Sequence, residues 1–242
     1  MTKSSSQRLV ETPDFSNSLD ELQAQVQRMN PNPESDDGIG WQEKKSCQTR
    51  VALLKATVAC LSEAGYARTT TQLVAKQAGI SRGAMLHHYA TKADLIAGAA
   101  DYIMYRRLDD LYQQIVKLSD RQRVDEMKGL EIYWSSIVTE EYQAFLELLI
   151  ASRTDPELEK VFIKKARTYD DYAFSLIPKF FPEWSKISED KSRLARDFVF
   201  TAFEGLHINH ALINDRKRRV AVRELIKTSL QTLLRSEDNQ KK

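Results

Sequence analysis

The run from Thr69 to Leu95, TTTQLVAKQAGISRGAMLHHYATKADL, constrains this chain more than any other, because its residue order dictates two short helices joined by a tight turn. One of Thr69, Thr70 and Thr71 is placed to cap the first helix, whose apolar side repeats as Leu73, Val74 and Ala78. A hydroxyl at that position takes up a backbone N–H that the first turn leaves unpaired. Gly79 ends the helix, since glycine accepts the positive φ favoured just past a C-terminus. Ile80 then turns inward, and Ser81 caps a second helix of about Arg82 to His88. Thr91 caps a third, with Asp94 three residues on as the acidic half of a capping box. Helix, glycine-containing turn and helix is the layout in which the second helix enters the major groove of DNA.

These residues resemble the fingerprint of the TetR family of bacterial transcriptional regulators. Thr70, Thr71, Ala75, Ala78, Gly79, Ser81, Gly83, His88, Lys92 and Leu95 match it identically, and Val74, Ile80, Met85 and Tyr89 are conservative replacements. One position departs: Leu86 stands where the family usually carries a Tyr, which removes a hydroxyl contact. The resemblance covers about 50 residues closely and the rest of the chain in plan. It implies an all-α protein with a three-helix DNA-binding head and a larger helical domain for ligand binding and dimerisation. It also implies a homodimer on a palindromic operator in double-stranded DNA, acting as a repressor that a small-molecule effector releases.

Charge and composition agree with that plan. The chain has 242 residues, 42% hydrophobic and 29% charged, with only 8 Gly and 6 Pro, a profile that reads as all-α. The net charge of +2 hides an uneven distribution. Residues 1–40 hold 3 Lys/Arg against 7 Asp/Glu, residues 41–92 hold 8 against 2, and residues 93–242 hold 25 against 25. A basic unit on a neutral body is the footprint of phosphate binding.

Three segments follow: 1–40, a mostly disordered extension; 41–92, the DNA-binding head; and 93–242, the helical body. In the extension, Ser, Pro, Asp and Asn abound from Thr2 to Asp20 and again from Asn30 to Gly40. Between them Leu19, Leu22, Val26 and Met29 repeat at helical spacing after a Ser18–Glu21 capping box. That short amphipathic helix either lacks a partner or docks on its own or the other subunit. In the head, Val51, Leu54, Val58 and Leu61 mark a helix over Gln42 to Ala64 that closes on the two motif helices, with Gly65 as its stop. After Thr91 a long helix carries Leu95, Ile96, Ala99, Ile103, Leu108, Leu111 and Ile115 from head into body. Further helical patterns run over Val124–Thr139, Glu141–Ser152, Pro156–Ile177, Ser188–Asn214 and Arg218–Arg235.

The DNA contacts are expected from Thr71, Gln72, Ser81, Arg82, Gly83, Ala84, Leu86, His87 and Lys92. Arg82, at the start of the second helix, is placed to read guanine or to hold a phosphate, and Gln72 to read a base or face solvent. Thr71, His87 and Lys92 suit phosphate oxygens, and Leu86 either touches a thymine methyl or packs. His88 and Tyr89 are expected to lock the second helix onto the third.

In the body, the last two helices carry apolar residues at Leu194, Phe198, Ala202, Gly205, Leu206 and Leu212 and at Val222, Ile226, Ser229 and Leu233. On the family's plan these form a four-helix bundle between two subunits, with Gly205 permitting close approach. Of the 21 aromatic residues, 17 lie beyond residue 92. Tyr102, Tyr105, Tyr133, Trp134, Phe145, Tyr169, Tyr172, Phe174, Phe198 and Phe203, with His207, either fill the core or converge on a helix-enclosed pocket. With no basic cluster among them, an apolar or aromatic effector is expected rather than a highly anionic one.

Enzyme chemistry has little support. Glu204, His207 and His210 stand at i, i+3 and i+6, and Glu-x-x-His is half of a di-iron bundle motif, but no second copy exists. A metal-binding or catalytic bundle is therefore the weaker alternative. No nucleophile elbow, P-loop or dinucleotide fingerprint occurs, so no cofactor or metal is expected. Cys47 and Cys60, 13 residues apart on one helix, are about 20 Å apart at ~1.5 Å per residue, too far for a disulfide. With no signal peptide and no apolar run of ~18 residues, a cytoplasmic protein with no membrane partner is expected.

Overall fold

The computed structural model describes residues 15–32, 40–123, 125 and 127–235, and those residues are helical throughout, with no strand among them. Most of the disorder expected in residues 1–40 falls outside the described residues. The helix between the two polar stretches does form, as α1 (Ser16–Met29). Its start is not the expected one. Ser18 and Glu21 lie inside the helix, and the N-cap is Phe15, which makes no side-chain cap. Packing decides the boundary instead: Phe15 is 4% exposed and Leu22 fully buried, which places the end of the helix where an aromatic anchor sits rather than where a hydroxyl would.

The head opens with α2 (Trp41–Ala64), which stops at Gly65, φ +79°. Thr70 caps α3 (Thr71–Ala78) by accepting from the Leu73 N–H, and Gly79 ends it at φ +66°, ψ 27°, the left-handed region open to glycine. Ser81 caps α4 (Arg82–His88) through the Ala84 N–H at 3.2 Å. Thr91 and Asp94 form the reciprocal capping box of α5 (Lys92–Val116).

The body continues with a single turn, α6 (Asp120–Arg123), then α7 (Lys128–Ile137) and α8 (Glu140–Ser152). The single helix expected over Val124–Thr139 therefore begins later and ends at Ile137, where Thr139 caps the next helix. Asp155 caps α9 (Pro156–Phe180) with its carboxylate on the Glu157 and Leu158 N–H groups. This helix passes through Pro178, near its C-terminal end, before a 3-10 turn over Pro182–Lys186. The pattern expected over Ser188–Asn214 divides into α10 (Glu189–Ile208) and a 3-10 turn at Asn209–Ala211. The last helix, α11 (Arg216–Arg235), is entered through Asp215, which accepts from the Lys217 N–H at 2.8 Å.

Two cores hold these helices. The first joins α2, α3, α4 and the first half of α5 to α8 and the start of α9, through Leu53, Leu61, Val74, Met85, Leu95, Ala144, Leu148 and Phe162. Head and body thus share one hydrophobic cluster across residue 92. The second core gathers α1, the far half of α5 and α7 to α11 around Leu22, Leu108, Ile137, Phe180, Phe203 and Leu230. Met29, Tyr105, Phe145 and Tyr169 pack against both. Leu22 and Val26 bury α1 on α5, and Lys179 of α9 meets Glu21 at 2.7 Å, so the short helix docks on its own subunit.

Candidate nucleic-acid interface

The outward face of α4 follows from one buried residue. Met85 is fully buried in the first core, and this fixes which face of α4 turns outward: Arg82, Gly83, Ala84, Leu86 and His87 are all exposed. At the other end Tyr89, 9% exposed, seats the helix against α5, as expected for its locking role. His88 is half-buried beside it, and burial, then the neighbouring His87 and Arg50, hold its imidazole below the ordinary value. Ser81 spends its hydroxyl on the cap. Gln72 is exposed at the first turn of α3, with Thr71 half-buried next to it.

Lys92 is placed differently from expectation. Its ammonium donates to the Tyr66 carbonyl at 2.8 Å and lies 4.2 Å from the centre of the Tyr66 ring. Burial lowers its pKa, partly offset by Asp155. Tyr66 in turn donates its hydroxyl to Asp155 at 3.0 Å, and burial followed by this bond pushes its phenol up to about 12. Lys92 therefore ties the start of α5 to the end of α2 and to the cap of α9. It keeps donors for a phosphate, but its position is set by this chain of contacts.

The residues expected at a dimer interface divide into two sets. Leu194, Phe198 and Leu212 are 61%, 39% and 82% exposed, and a Cβ on Gly205 would meet nothing within 4 Å. Leu206 and Ile226, at 4% and 5%, are instead buried within the subunit, because the inward faces of α10 and α11 pack on each other. Ala202, Val222 and Leu233 are half-buried against the second core, and Ser229 is half-buried as well. Ile208 and Leu225, 52% and 66% exposed, extend the outward face in a way the sequence reading missed.

The expected pocket residues also separate. Phe198 faces outward and cannot line an internal site. Phe174 is covered by the guanidinium groups of Arg193 and Arg196 at 4.8 and 5.2 Å. Tyr172 packs against the second core near α1, with its hydroxyl buried and unpartnered among the described residues. Tyr102, 5% exposed, tilts against Tyr105 at 6.1 Å. The remainder do gather: Tyr133 stacks on Phe200 at 3.8 Å, Trp134 meets Phe203 edge-on at 5.4 Å, and His207 meets Tyr142 at 6.0 Å. The Tyr133 hydroxyl donates to Glu204 at 2.8 Å, and burial and that carboxylate drive its phenol strongly upward.

Two hollows of about 540 and 520 Å³ lie elsewhere, one beside Asp125, Glu183 and Gln231 and one along α9, and neither is lined by the expected aromatic residues. Glu204, His207 and His210 do not form a ligand set: Glu204 accepts from Tyr133, His210 Nδ1 faces the His207 carbonyl at 2.9 Å, and no group of three metal-ligating side chains gathers among the described residues. Cys47 and Cys60 are free thiols, and burial, then Glu63, raises the Cys60 pKa, away from reactivity. Among the described residues no helix is long and apolar enough to cross a membrane.

Comparison with known proteins agrees with this arrangement. Residues 53–99 match the family model of bacterial regulatory proteins, tetR family. An uncharacterised HTH-type transcriptional regulator of Mycobacterium tuberculosis is 29% identical over 120 residues, a match spanning 49% of this chain and 60% of that protein. A candidate TetR-family transcriptional regulator from Rhodococcus sp. shares the fold at a TM-score of 0.55 with 17% identity, over 77% of this chain and 99% of that one. The multidrug binding protein EbrR, crystallised with imidazole, does so at 0.51 with 16% identity, over 76% and 89%. The head, residues 53–99, thus matches the tetR family of bacterial regulatory proteins, and the chain shares its fold with solved structures described as TetR-family regulators.

Proposed function

We propose that this chain is a sequence-specific, DNA-binding transcriptional regulator that works as a homodimer on a palindromic operator. The observation that carries this reading is the seating of α4, anchored by Met85 and Tyr89 with Arg82, Leu86 and His87 turned out. A short capped helix held in this way presents its N-terminal residues to base edges in the major groove. The charge balance of 8 Lys/Arg to 2 Asp/Glu in residues 41–92 supplies the phosphate attraction. Bases are read by Arg82 and Gln72, and phosphates are held by Thr71 and His87 with the Ser81 to Ala84 turn close to the backbone. We infer a cytoplasmic protein from such work on DNA.

Two subunits pair through the outward apolar faces of α10 and α11, where Leu194, Phe198, Leu212 and Leu225 are left uncovered by their own chain. The regulator is a repressor, and a small apolar or aromatic molecule bound in the body releases it; EbrR binds drugs on the same fold. The shared core of head and body supplies the coupling, since a ligand that alters the packing of α8 and α9 must move the helices that carry α4.

A gel shift with bulk DNA at low and high salt tests the class. A DNA binder loses affinity steeply as salt rises. Selection from a random duplex pool should then return a palindrome. Absence of binding at low salt would sink the reading.

A further inference from the structure

Arg107 of α5 meets no carboxylate among the described residues. Its guanidinium lies over three rings, those of Phe145 at 4.5 Å, Tyr169 at 4.9 Å and Tyr142 at 5.2 Å. Its Nε is sealed from solvent with no hydrogen-bond partner among the described residues. Arg106 and Arg196 differ in having an acid on the guanidinium, although the Nε of Arg196 is likewise sealed without a hydrogen bond. Arg106 pairs with Asp109 and Glu141 at 3.3 Å each, and Arg196 pairs with Asp170. The acid of the same cluster is already engaged, because Glu204 accepts from the hydroxyls of Tyr133 and Tyr142. Ring faces attract a cation but take none of its N–H groups, and leaving the sealed Nε–H unpaired is costly. A half-buried guanidinium in an aromatic setting with no internal acceptor is a site built for an acceptor that comes from outside.

Position gives this site its consequence. Phe145 and Tyr169 are two of the residues that pack on both cores, so Arg107 stands at the seam between the core that includes α4 and the core of the body. A planar acid matches the fork of a guanidinium with two parallel hydrogen bonds. An apolar remainder would lie along the rings.

We propose that Arg107 anchors the carboxylate of a small molecule whose apolar or aromatic part packs on Phe145 and Tyr169, which makes the effector a monocarboxylic acid. This rests on the ligand-responsive reading above and names the chemistry of its ligand. The anchor is not legible in the chain, where nothing marks Arg107 rather than Arg106 as the one turned inward.

The test compares wild type with Arg107→Met. Met keeps a chain of similar length against the rings and removes the half-buried charge with its unpaired Nε–H, so the ligand-free variant should melt close to the wild-type temperature. Benzoate, 3-phenylpropanoate and octanoate should raise the wild-type melting temperature by several degrees while their primary amides do not, and the variant should lose that difference while still shifting DNA in a gel. A ligand-free variant that melts several degrees lower would show Arg107 to be structural and overturn the proposal. So would acids and amides that act alike, whether both shift the transition or neither does. Acid-selective stabilisation without release of DNA would uphold the site and remove only the release mechanism.

Discussion

Tyr89 closes against Gly98: a Cβ built at residue 98 would stand 2.9 Å from Cε1 of the Tyr89 ring and 3.1 Å from its hydroxyl. The end of α4 is thus seated on α5 by a ring that fits only because residue 98 has no side chain.

Gly98→Ala should therefore destabilise the protein despite being a favourable change for a helix. Alanine gains about 1 kcal/mol in helix propensity. Displacing a well-packed ring costs about 1 to 3 kcal/mol, and Leu54 at 3.3 Å blocks the other side. The expected net loss is about 1 kcal/mol in urea unfolding, with weaker DNA binding because α4 shifts. A stability equal to or above wild type would show that Tyr89 moves aside freely.

How far this could be read from the chain differs by region. The caps at Ser81 and Thr91 and the stop at Gly79 act within a few residues, so their chemistry is local and each formed where the sequence placed it, while Thr70 proved to be the cap among three candidate threonines. The start of α1 was misplaced because Phe15 is fixed by partners on distant helices, which a local cap signal does not report. Periodicity found the apolar faces of α10 and α11 but not which half of each is covered: Leu206 and Ile226 turn inward, Leu194 and Phe198 outward. Lys92 read as a phosphate contact since nothing nearby in sequence foretells the Tyr66 carbonyl 26 residues away.

The Tyr66–Asp155 bond should give the head a dependence on acid. Asp155 is held below the ordinary carboxylate value, first by the Leu158 N–H and then by the Tyr66 hydroxyl. A carboxylate depressed in the folded state adds stability above its unfolded pKa of about 3.9, and that stability is lost as pH falls through the folded value. Asn caps a helix about as well as Asp, so Asp155→Asn isolates the charge. The variant should melt below wild type at pH 7, and the gap should close progressively below about pH 4. A gap that is constant from pH 7 to pH 2 would mean that the charge plays no part.

On DNA, Arg82 and Lys92 should fail in different ways. Arg82 is exposed at the first position of α4, and Arg82→Ala should cost about 1 to 3 kcal/mol and relax preference at one position of each half-site. Lys92→Ala should weaken all sequences alike and also lower the melting temperature, because it removes the tie to Tyr66. Binding measured on a set of single-base operator variants separates the two. Unchanged base preference in Arg82→Ala would take that residue out of the readout.

Assembly can be probed on the outward faces alone. Leu212 and Phe198, 82% and 39% exposed, lie outside the subunit's buried core, whereas Leu206 is 4% exposed within it. Sedimentation of wild type should give about twice the 27.8 kDa chain mass. Phe198→Glu with Leu212→Glu should give a folded monomer with weakened DNA binding, since one head then holds one half-site and loses the second as a tethered contact. Leu206→Glu should instead reduce the melting temperature by placing an unpaired charge in the core. A wild-type monomer at micromolar concentration, or a dimer that survives both outward charges, would move the interface away from α10 and α11.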